Sequence, residues 1–196
     1  MEGSFFALVS RMKYIGRWSL MRSAVAENVQ EHSHMTAVIA HALGVIRRDV
    51  FGGECDPNEL AAIALYHDAA EILTGDLPTP IKYHSRQIKS AYAEVEELAC
   101  EKLTATLPEA LRPAIGSLLS AERDPARYEL VKAADKLSAY IKCIEERKAG
   151  NMEFVSAEES TRKILDSMPL PEVKYFIDSF IPAFELSLDE LGTIDS

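Results

Sequence analysis

The apolar run Leu60-Ala61-Ala62-Ile63-Ala64-Leu65 leads directly into Tyr66-His67-Asp68-Ala69-Ala70-Glu71. The first half has the character of a helix that belongs in a core. The second half places three ionisable groups on its continuation. Groups three or four apart share a helical face, so Glu71 is expected beside both His67 and Asp68. Burying such groups costs on the order of several kcal/mol unless each is paired or bound to a metal. The fold must therefore bring partners, or a cation, to this segment.

Helix-start signals locate the elements that could do so. Asn28-Val29-Gln30-Glu31 has the form of a capping box, and His32 follows in the first turn. At helical spacing His32 shares a stripe with Met35, Thr36, Ile39, Ala42, Leu43 and Ile46, so it points to the core. His34 and His41 fall on a neighbouring face. Asp56-Pro57-Asn58-Glu59 is a second strong start, with an N-cap and a proline in the first turn. Its helix is expected to carry His67, Asp68 and Glu71 and to end near Thr74-Gly75. Asp124-Pro125 starts a third, running over 125–148 and closed by Gly150. Asp135 sits on or beside its inward stripe of Leu130, Val131, Ala134, Leu137, Ile141 and Ile144. A salt bridge to a nearby Lys or Arg is the plain explanation for an aspartate there.

The remaining segments extend the pattern. Residues 4–12 form a short amphipathic helix. Residues 85–107 form a long one with Ile88, Tyr92, Val95, Leu98, Ala99 and Leu103 at helical spacing. Pro108 opens a helix to about residue 120, and two more cover 153–167 and 171–186, the last kinked at Pro182. Residues 76–82 are expected to be extended or turned, because Pro78 and Pro80 disfavour a helix. No strand pattern stands out, so the fold class is all-α. At 196 residues and 47% hydrophobic composition, the chain is expected to form a single domain over 1–196.

Charge and apolar patterning exclude several function classes. A net charge of -10 argues against a nucleic-acid polymer as partner, since such binders present a basic stripe. No apolar stretch approaches the roughly 18 residues of a membrane span. No basic segment followed by a clean apolar one marks a secretory signal. No membrane partner and a cytoplasmic location are therefore expected. Cys55, Cys100 and Cys143 are odd in number and far apart, which suggests reduced thiols.

His32, His67, Asp68 and Asp135 are thus four inward polar residues from three helices. Two imidazoles and two carboxylates suit a divalent first-row metal such as Mn, Co, Fe or Ni, or zinc, and helical bundles build metal sites in this way. Four protein ligands on a six-coordinate ion leave room for water and substrate, and a divalent cation acidifies water into a nucleophile. Glu71, close by but not needed as a ligand, is placed to move a proton. Upstream, Gly16-Arg17-Trp18-Ser19 breaks the helical pattern. Arg17 beside the only tryptophan is either an anion clamp next to a stacking surface or a solvated arginine next to an anchoring ring.

In order and context, His32, His67-Asp68 and Asp135 resemble the H…HD…D signature of the HD-domain phosphohydrolases. The resemblance extends to Gly16-Arg17-Trp18, to Glu27-Asn28-Val29-Gln30-Glu31-His32, to the whole run 66–82 and to 184–190. Over nearly its full length the chain is similar to the bacterial HD-domain 5'-deoxynucleotidases. The resemblance implies an HD-domain helical bundle with the metal site between core helices, and a homodimer. It also implies hydrolysis of deoxyribonucleoside 5'-monophosphates with a divalent cation such as cobalt or manganese. Carried over, His32, His67, Asp68 and Asp135 hold the metal, and His32, Asp68 and Asp135 also border the substrate. Glu71 assists the attacking water, Arg17 orients the phosphate and Trp18 lines the sugar pocket. Asp76 acts with them, and Leu77, Pro78 and Thr79 contact the nucleotide. Lys82 as a further phosphate contact is a separate expectation from its position. The alternatives are an HD phosphohydrolase acting on deoxynucleoside triphosphates, cyclic nucleotides or alarmones, or a non-catalytic HD module. The modest basic supply of Arg17, Arg22 and Lys82 favours a monophosphate.

Overall fold

The structure, a computed structural model, describes residues 2–82, 84–121 and 124–192, except the side chains of Thr79, Ala126 and Arg127. The α-helices in chain order are α1 (Phe5–Val9), α2 (Val29–Val45), α3 (Pro57–Tyr66), α4 (Glu71–Thr74), α5 (Thr79–Lys82), α6 (Arg86–Ala105), α7 (Arg112–Leu119), α8 (Pro125–Lys148), α9 (Val155–Ser167) and α10 (Pro171–Phe180). Short 3-10 segments and one wide turn over Ile46–Val50 join or extend them. Among the described residues the only strand-like pairing is an isolated bridge between Gly16 and Asn28. The chain is all-α, as its periodicity indicates.

The centre consists of α2, α3 and α8. Asn28 caps α2 by accepting from the Glu31 N–H, and the Glu31 carboxylate accepts from the Asn28 N–H, completing the capping box. Asp56 caps α3 through the N–H groups of Asn58 and Glu59. Gly150, at φ +86°, follows the end of α8 in the left-handed conformation that favours glycine. Ile39 and Leu43 of α2, Ile63 of α3, and Leu130, Leu137 and Ile144 of α8 are all buried in one core, closed on the far side by Leu165 and Phe176. Each such side chain contributes about 1.5–3 kcal/mol by leaving water. A smaller cluster of Phe5, Ala69, Leu103, Leu107 and Leu119 joins α1 and α6 to the turn after α3.

Gly44 explains how closely α2 and α3 approach. A Cβ at this position would lie 2.9 Å from the Pro57 Cα and 3.0 Å from Leu60 Cδ1. Gly44→Ala gains about 1 kcal/mol of helix propensity, but overpacking costs about 1–3 kcal/mol and the obstacle is backbone. A net loss of about 1 kcal/mol is expected, read as a lower urea midpoint. An unchanged or higher midpoint would show that Pro57 yields.

Several elements differ from the sequence pattern. The helix from Pro57 does not continue to Thr74: α3 stops at Tyr66 and α4 begins at Glu71. The His67 ring Nδ1 donates to the Ala64 carbonyl at 2.7 Å, taking up the acceptor that the Asp68 N–H would use in a continuing helix. The following bonds are shorter-range, Ala69 N–H to Tyr66 O and Glu71 N–H to Asp68 O. Residues 79–82 form the one-turn helix α5 despite two prolines, because Pro80 lies in a first turn where its missing N–H has no partner to lose. Met35 is exposed, so the α2 stripe is carried by His32, Thr36, Ile39 and Leu43 without it. On α6 only Ala99 and Leu103 are buried, while Ile88, Val95 and Leu98 are exposed. The segment after Pro108 is a 3-10 turn followed by α7, and Pro182 starts a 3-10 turn over Ile181–Glu185 rather than kinking a longer helix.

Candidate metal centre and active site

His32 is fully buried one turn inside α2. Its Nε2 lies 3.1 Å from Asp135 Oδ1 and 3.7 Å from Asp68 Oδ2. Its Nδ1 lies 3.2 Å from the Ser138 hydroxyl. Ser138 is one turn after Asp135 on α8, so a single helical face supplies both groups that hold this ring.

His67 is oriented by its own chain. A carbonyl only accepts, so the bond to Ala64 puts a hydrogen on Nδ1. In the neutral ring, Nε2 then keeps its lone pair. Nε2 is buried without a hydrogen-bond partner. Asp68 Oδ2 lies 3.1 Å away, close enough for ionic attraction but not aligned as an acceptor. Burial alone would lower the His67 pKa, and the carboxylates of Asp68 and Asp135 more than reverse it. Burial pushes the Asp68 carboxyl up, but His67, His32 and Arg17 hold it well below the usual range. Asp135 is likewise lowered, against burial, by Lys136 and the two histidines. Lys136 Nζ lies 2.9 Å from Asp135 Oδ2, so the salt bridge expected of an isolated aspartate exists alongside the contact to His32.

These residues fit a divalent cation. Donor atoms of His32, His67 and Asp135 lie within 4.8 Å of one another, and Asp68 stands against both imidazoles. The second nitrogen of each ring is engaged, by Ser138 or by Ala64. Metal-binding histidines are typically oriented and tuned in this way. The unpartnered His67 Nε2 is the atom such an ion would satisfy.

Glu71 is buried, and its Oε2 also lacks a hydrogen-bond partner. Burial, then the negative charges of Asp68 and Asp76, push its carboxyl up to about 9, against the pull of Arg17 and Lys82. A cation at the neighbouring histidines and aspartates would add positive charge and draw that value down. Asp76 is half-buried and raised, chiefly by burial, with Arg17 pulling it down and Asp68 pushing it up. Arg17 meets the cluster at Asp68. Its Nη1 lies 3.4 Å from Asp68 Oδ2.

The loop bearing Arg17 and Trp18 has little regular structure, and its order comes from α8. Glu146 is buried and accepts from the backbone N–H groups of Ala24 at 2.6 Å and Val25 at 3.1 Å. Lys142 donates to Glu146 Oε1 and to the Val25 carbonyl, both at 2.5 Å. Asn151 adds bonds to Glu146 and to the Arg22 carbonyl. Burial would raise the Glu146 carboxyl, and these donors outweigh it, holding it at about 2 against a usual 4.5. A lowered folded-state value stabilises the fold above the unfolded-state value and loses that contribution as pH falls towards the folded one. Glu146→Gln is expected to cost about 3 kcal/mol at neutral pH. That gap from the parent narrows as pH falls from about 4.5 towards about 2. Urea midpoints of both proteins at neutral and acid pH test this, and a pH-independent gap would contradict it.

The structure thus brings His32, His67, Asp68, Glu71, Asp76, Asp135 and Arg17 into one neighbourhood. Leu77 and Pro78 are half-buried on the segment beginning at Asp76, and the side chain of Thr79 lies outside the described residues. Lys82 Nζ donates to Glu96 at 2.8 Å and lies 4.8 Å from the centre of the Tyr92 ring. Its charge also acts on Glu71 and Asp76. Arg22 points outward to Glu153. The sequence reading missed Ser138 and Glu27. Ser138 was visible in principle at i+3 from Asp135. Glu27 bonds both Arg17 and Trp18, and no periodicity marks it.

A family model described as 5'-deoxynucleotidase YfbR-like matches residues 4–184. A relative from Erwinia tasmaniensis, named 5'-deoxynucleotidase, is 47% identical over 189 residues, 96% of each chain. One of the same name from Vibrio parahaemolyticus is 46% identical over 192 residues, covering 97% of this chain and 99% of its own. Among solved structures, an HD-domain phosphohydrolase from Listeria innocua superposes with a TM-score of 0.80 at 24% identity, over 97% of this chain and 92% of that one. An HD phosphohydrolase of cyanophage S-2L, described as bound to dA and one catalytic Zn2+ ion, gives 0.57 at 22% identity, over 94% and 96%. The structural likenesses establish the HD phosphohydrolase fold, and the sequence matches go further: this chain belongs to the YfbR-like 5'-deoxynucleotidase family.

Proposed function

We propose that this chain is a metal-dependent 5'-deoxynucleotidase that converts deoxyribonucleoside 5'-monophosphates to deoxynucleoside and phosphate. The observation that carries the reading is a guanidinium and an unpartnered buried carboxyl meeting at one His/Asp cluster with metal-ligand geometry. The names of the relatives point to the same substrate class.

His32, His67, Asp68 and Asp135 would hold the ion. When bound, a cation such as cobalt or manganese supplies charge neutralisation at the phosphoryl oxygens and acidifies the attacking water. Arg17, oriented towards the cluster, pairs with the phosphate and stabilises its charge as the bond to O5' lengthens. Glu71 takes a proton from water as its oxygen bonds to phosphorus. It then returns that proton to the departing O5', so the P–O5' bond breaks to leave a neutral alcohol. Asp76 lies where it can orient the same water or the leaving group. Trp18 borders the sugar, and Leu77, Pro78 and Thr79 are assigned as nucleotide contacts. An apolar wall alone rejects an added hydroxyl only about 10²-fold, so the preference against ribonucleotides is expected to be incomplete. The reading includes a homodimer of chains that each act as one domain, in the cytoplasm.

Phosphate release from dAMP, AMP and dATP by chelator-stripped protein, with Co, Mn, Mg or Zn restored, tests the assignment. Metal-dependent release from dAMP, little from AMP and none from dATP is the expected pattern. Turnover of dATP instead would move the substrate class, and no turnover with any metal would overturn the reading.

A further inference from the structure

Trp18 has φ +59° and is the one non-glycine among the described residues with positive φ. A left-handed conformation costs a bulky residue on the order of 1–2 kcal/mol, and such strain persists only where surroundings over-determine it. Here the determinants are few and identifiable. The indole packs against Phe154, ring centroids 5.2 Å apart. Its Nε1–H donates to Glu27 Oε2 at 2.8 Å. The same oxygen accepts from Arg17 Nε at 3.1 Å. The Glu27 backbone carbonyl accepts from the Arg17 N–H at 3.0 Å, next to the Gly16–Asn28 bridge. The Arg17 and Glu27 side chains are only 13% and 14% exposed, so water competes weakly for these bonds.

We infer that Glu27 is a positioning residue whose single carboxylate oxygen sets the phosphate-binding and sugar-facing side chains relative to each other. The inference rests on the function proposed above for Arg17 and Trp18. By taking Arg17 Nε, Glu27 leaves the terminal Nη1 turned to Asp68 in the cluster. By taking the indole N–H, it fixes the rotation of Trp18 about a strained backbone. Phosphate and sugar are joined through O5', so their recognition must be in register, and a shared acceptor provides that register. Without Glu27, Arg17 has Asp68 as its remaining close anionic partner.

Three variants separate these roles. Glu27→Ala removes both bonds. Glu27→Asp keeps the charge but shortens the reach by one methylene. Glu27→Gln keeps an acceptor oxygen at full reach without charge. In cobalt-loaded protein, Glu27→Ala and Glu27→Asp are expected to lose about ten- to a hundredfold in kcat/KM for dAMP, the size of a lost charge-assisted hydrogen bond. They are also expected to lower the dAMP-to-AMP ratio of kcat/KM. Glu27→Gln is expected to restore that ratio to within about twofold of the parent, as the intact indole bond requires. Trp18 is the only tryptophan, so its emission reads the bond directly, without metal or turnover. The maximum is expected to move to longer wavelength in the Ala and Asp variants and to stay in place in the Gln variant. Unchanged emission in Glu27→Ala, or equal losses on dAMP and AMP with no rescue by Gln, overturns the inference. Should Glu27→Ala not fold, the Asp and Gln pair carries the same test. A parent that hydrolyses neither nucleotide counts against the proposed function, and the emission comparison still decides whether Glu27 holds Trp18.

Discussion

Glu71→Ala is expected to retain its metal and to lose turnover of dAMP by about 10²–10⁴-fold, the usual contribution of a positioned proton-transfer group. The separation of metal from turnover is the informative part. Glu71 is not among the proposed ligands His32, His67, Asp68 and Asp135, so those four remain when it is removed. Its Oε2 makes no hydrogen bond, and its charged form is disfavoured by burial and by Asp68 and Asp76. A buried carboxyl in that condition contributes nothing to folding that alanine would forfeit, apart from a small void. The variant is therefore expected to be at least as stable as the parent, as is common where a site holds groups under strain for activity. Metal content by elemental analysis, kcat at saturating dAMP and a urea midpoint check the three statements. A turnover number within twofold of the parent would remove Glu71 from the chemistry.

Asp68→Ala is expected to lose both metal and activity while keeping its helices. The Asp68 carboxylate is the common neighbour of the site, 3.1 Å from His67 Nε2, 3.7 Å from His32 Nε2 and 3.4 Å from Arg17 Nη1. On the proposed assignment, removing it takes away a ligand and leaves Asp135 as the one carboxylate for the ion. Deleting a group that merely orients a ligand already costs about 10–100-fold in metal affinity, and loss of a direct ligand is expected to exceed that. The side chain projects from the turn between α3 and α4 and caps neither helix, so far-UV circular dichroism should be nearly unchanged. Full metal content and full activity in this variant would defeat the assignment of all four ligands.

Much of this site was legible because polar residues interrupt apolar patterns. His32 stands on the stripe of Ile39, Leu43 and Ile46, and Asp135 stands beside Leu137 and Ile141, where only an unusual cause keeps a charge. Cap chemistry located the starts of α2 and α3 equally well, since an Asn or Asp before the first turn has a local reason to be there. What was not legible depends on competition for single atoms. The stop at Tyr66 follows from one imidazole taking one carbonyl, and sequence spacing carries no sign of it. The long apolar stripe of α6 was overread for a related reason. Periodicity shows that a face is apolar, and whether another element covers it depends on how far its neighbours extend. Glu27 carries no sequence signal of its task, because its partners lie ten and nine residues back across a loop.

The long helix α8 carries Asp135 and, eleven residues on, Glu146, a separation of about 16 Å at 1.5 Å per residue. Its middle contributes Asp135 to the His/Asp cluster, and its C-terminal part pins the segment that presents Arg17 and Trp18. A single rod thus serves as the common reference for the His/Asp cluster and for the loop that carries Arg17 and Trp18. When the bundle breathes, tilting of this rod carries both parts together, and only its bending or twisting changes the gap between them. Relative error between the two is therefore set by the longest helix of the fold, although one of the two parts belongs to an irregular loop.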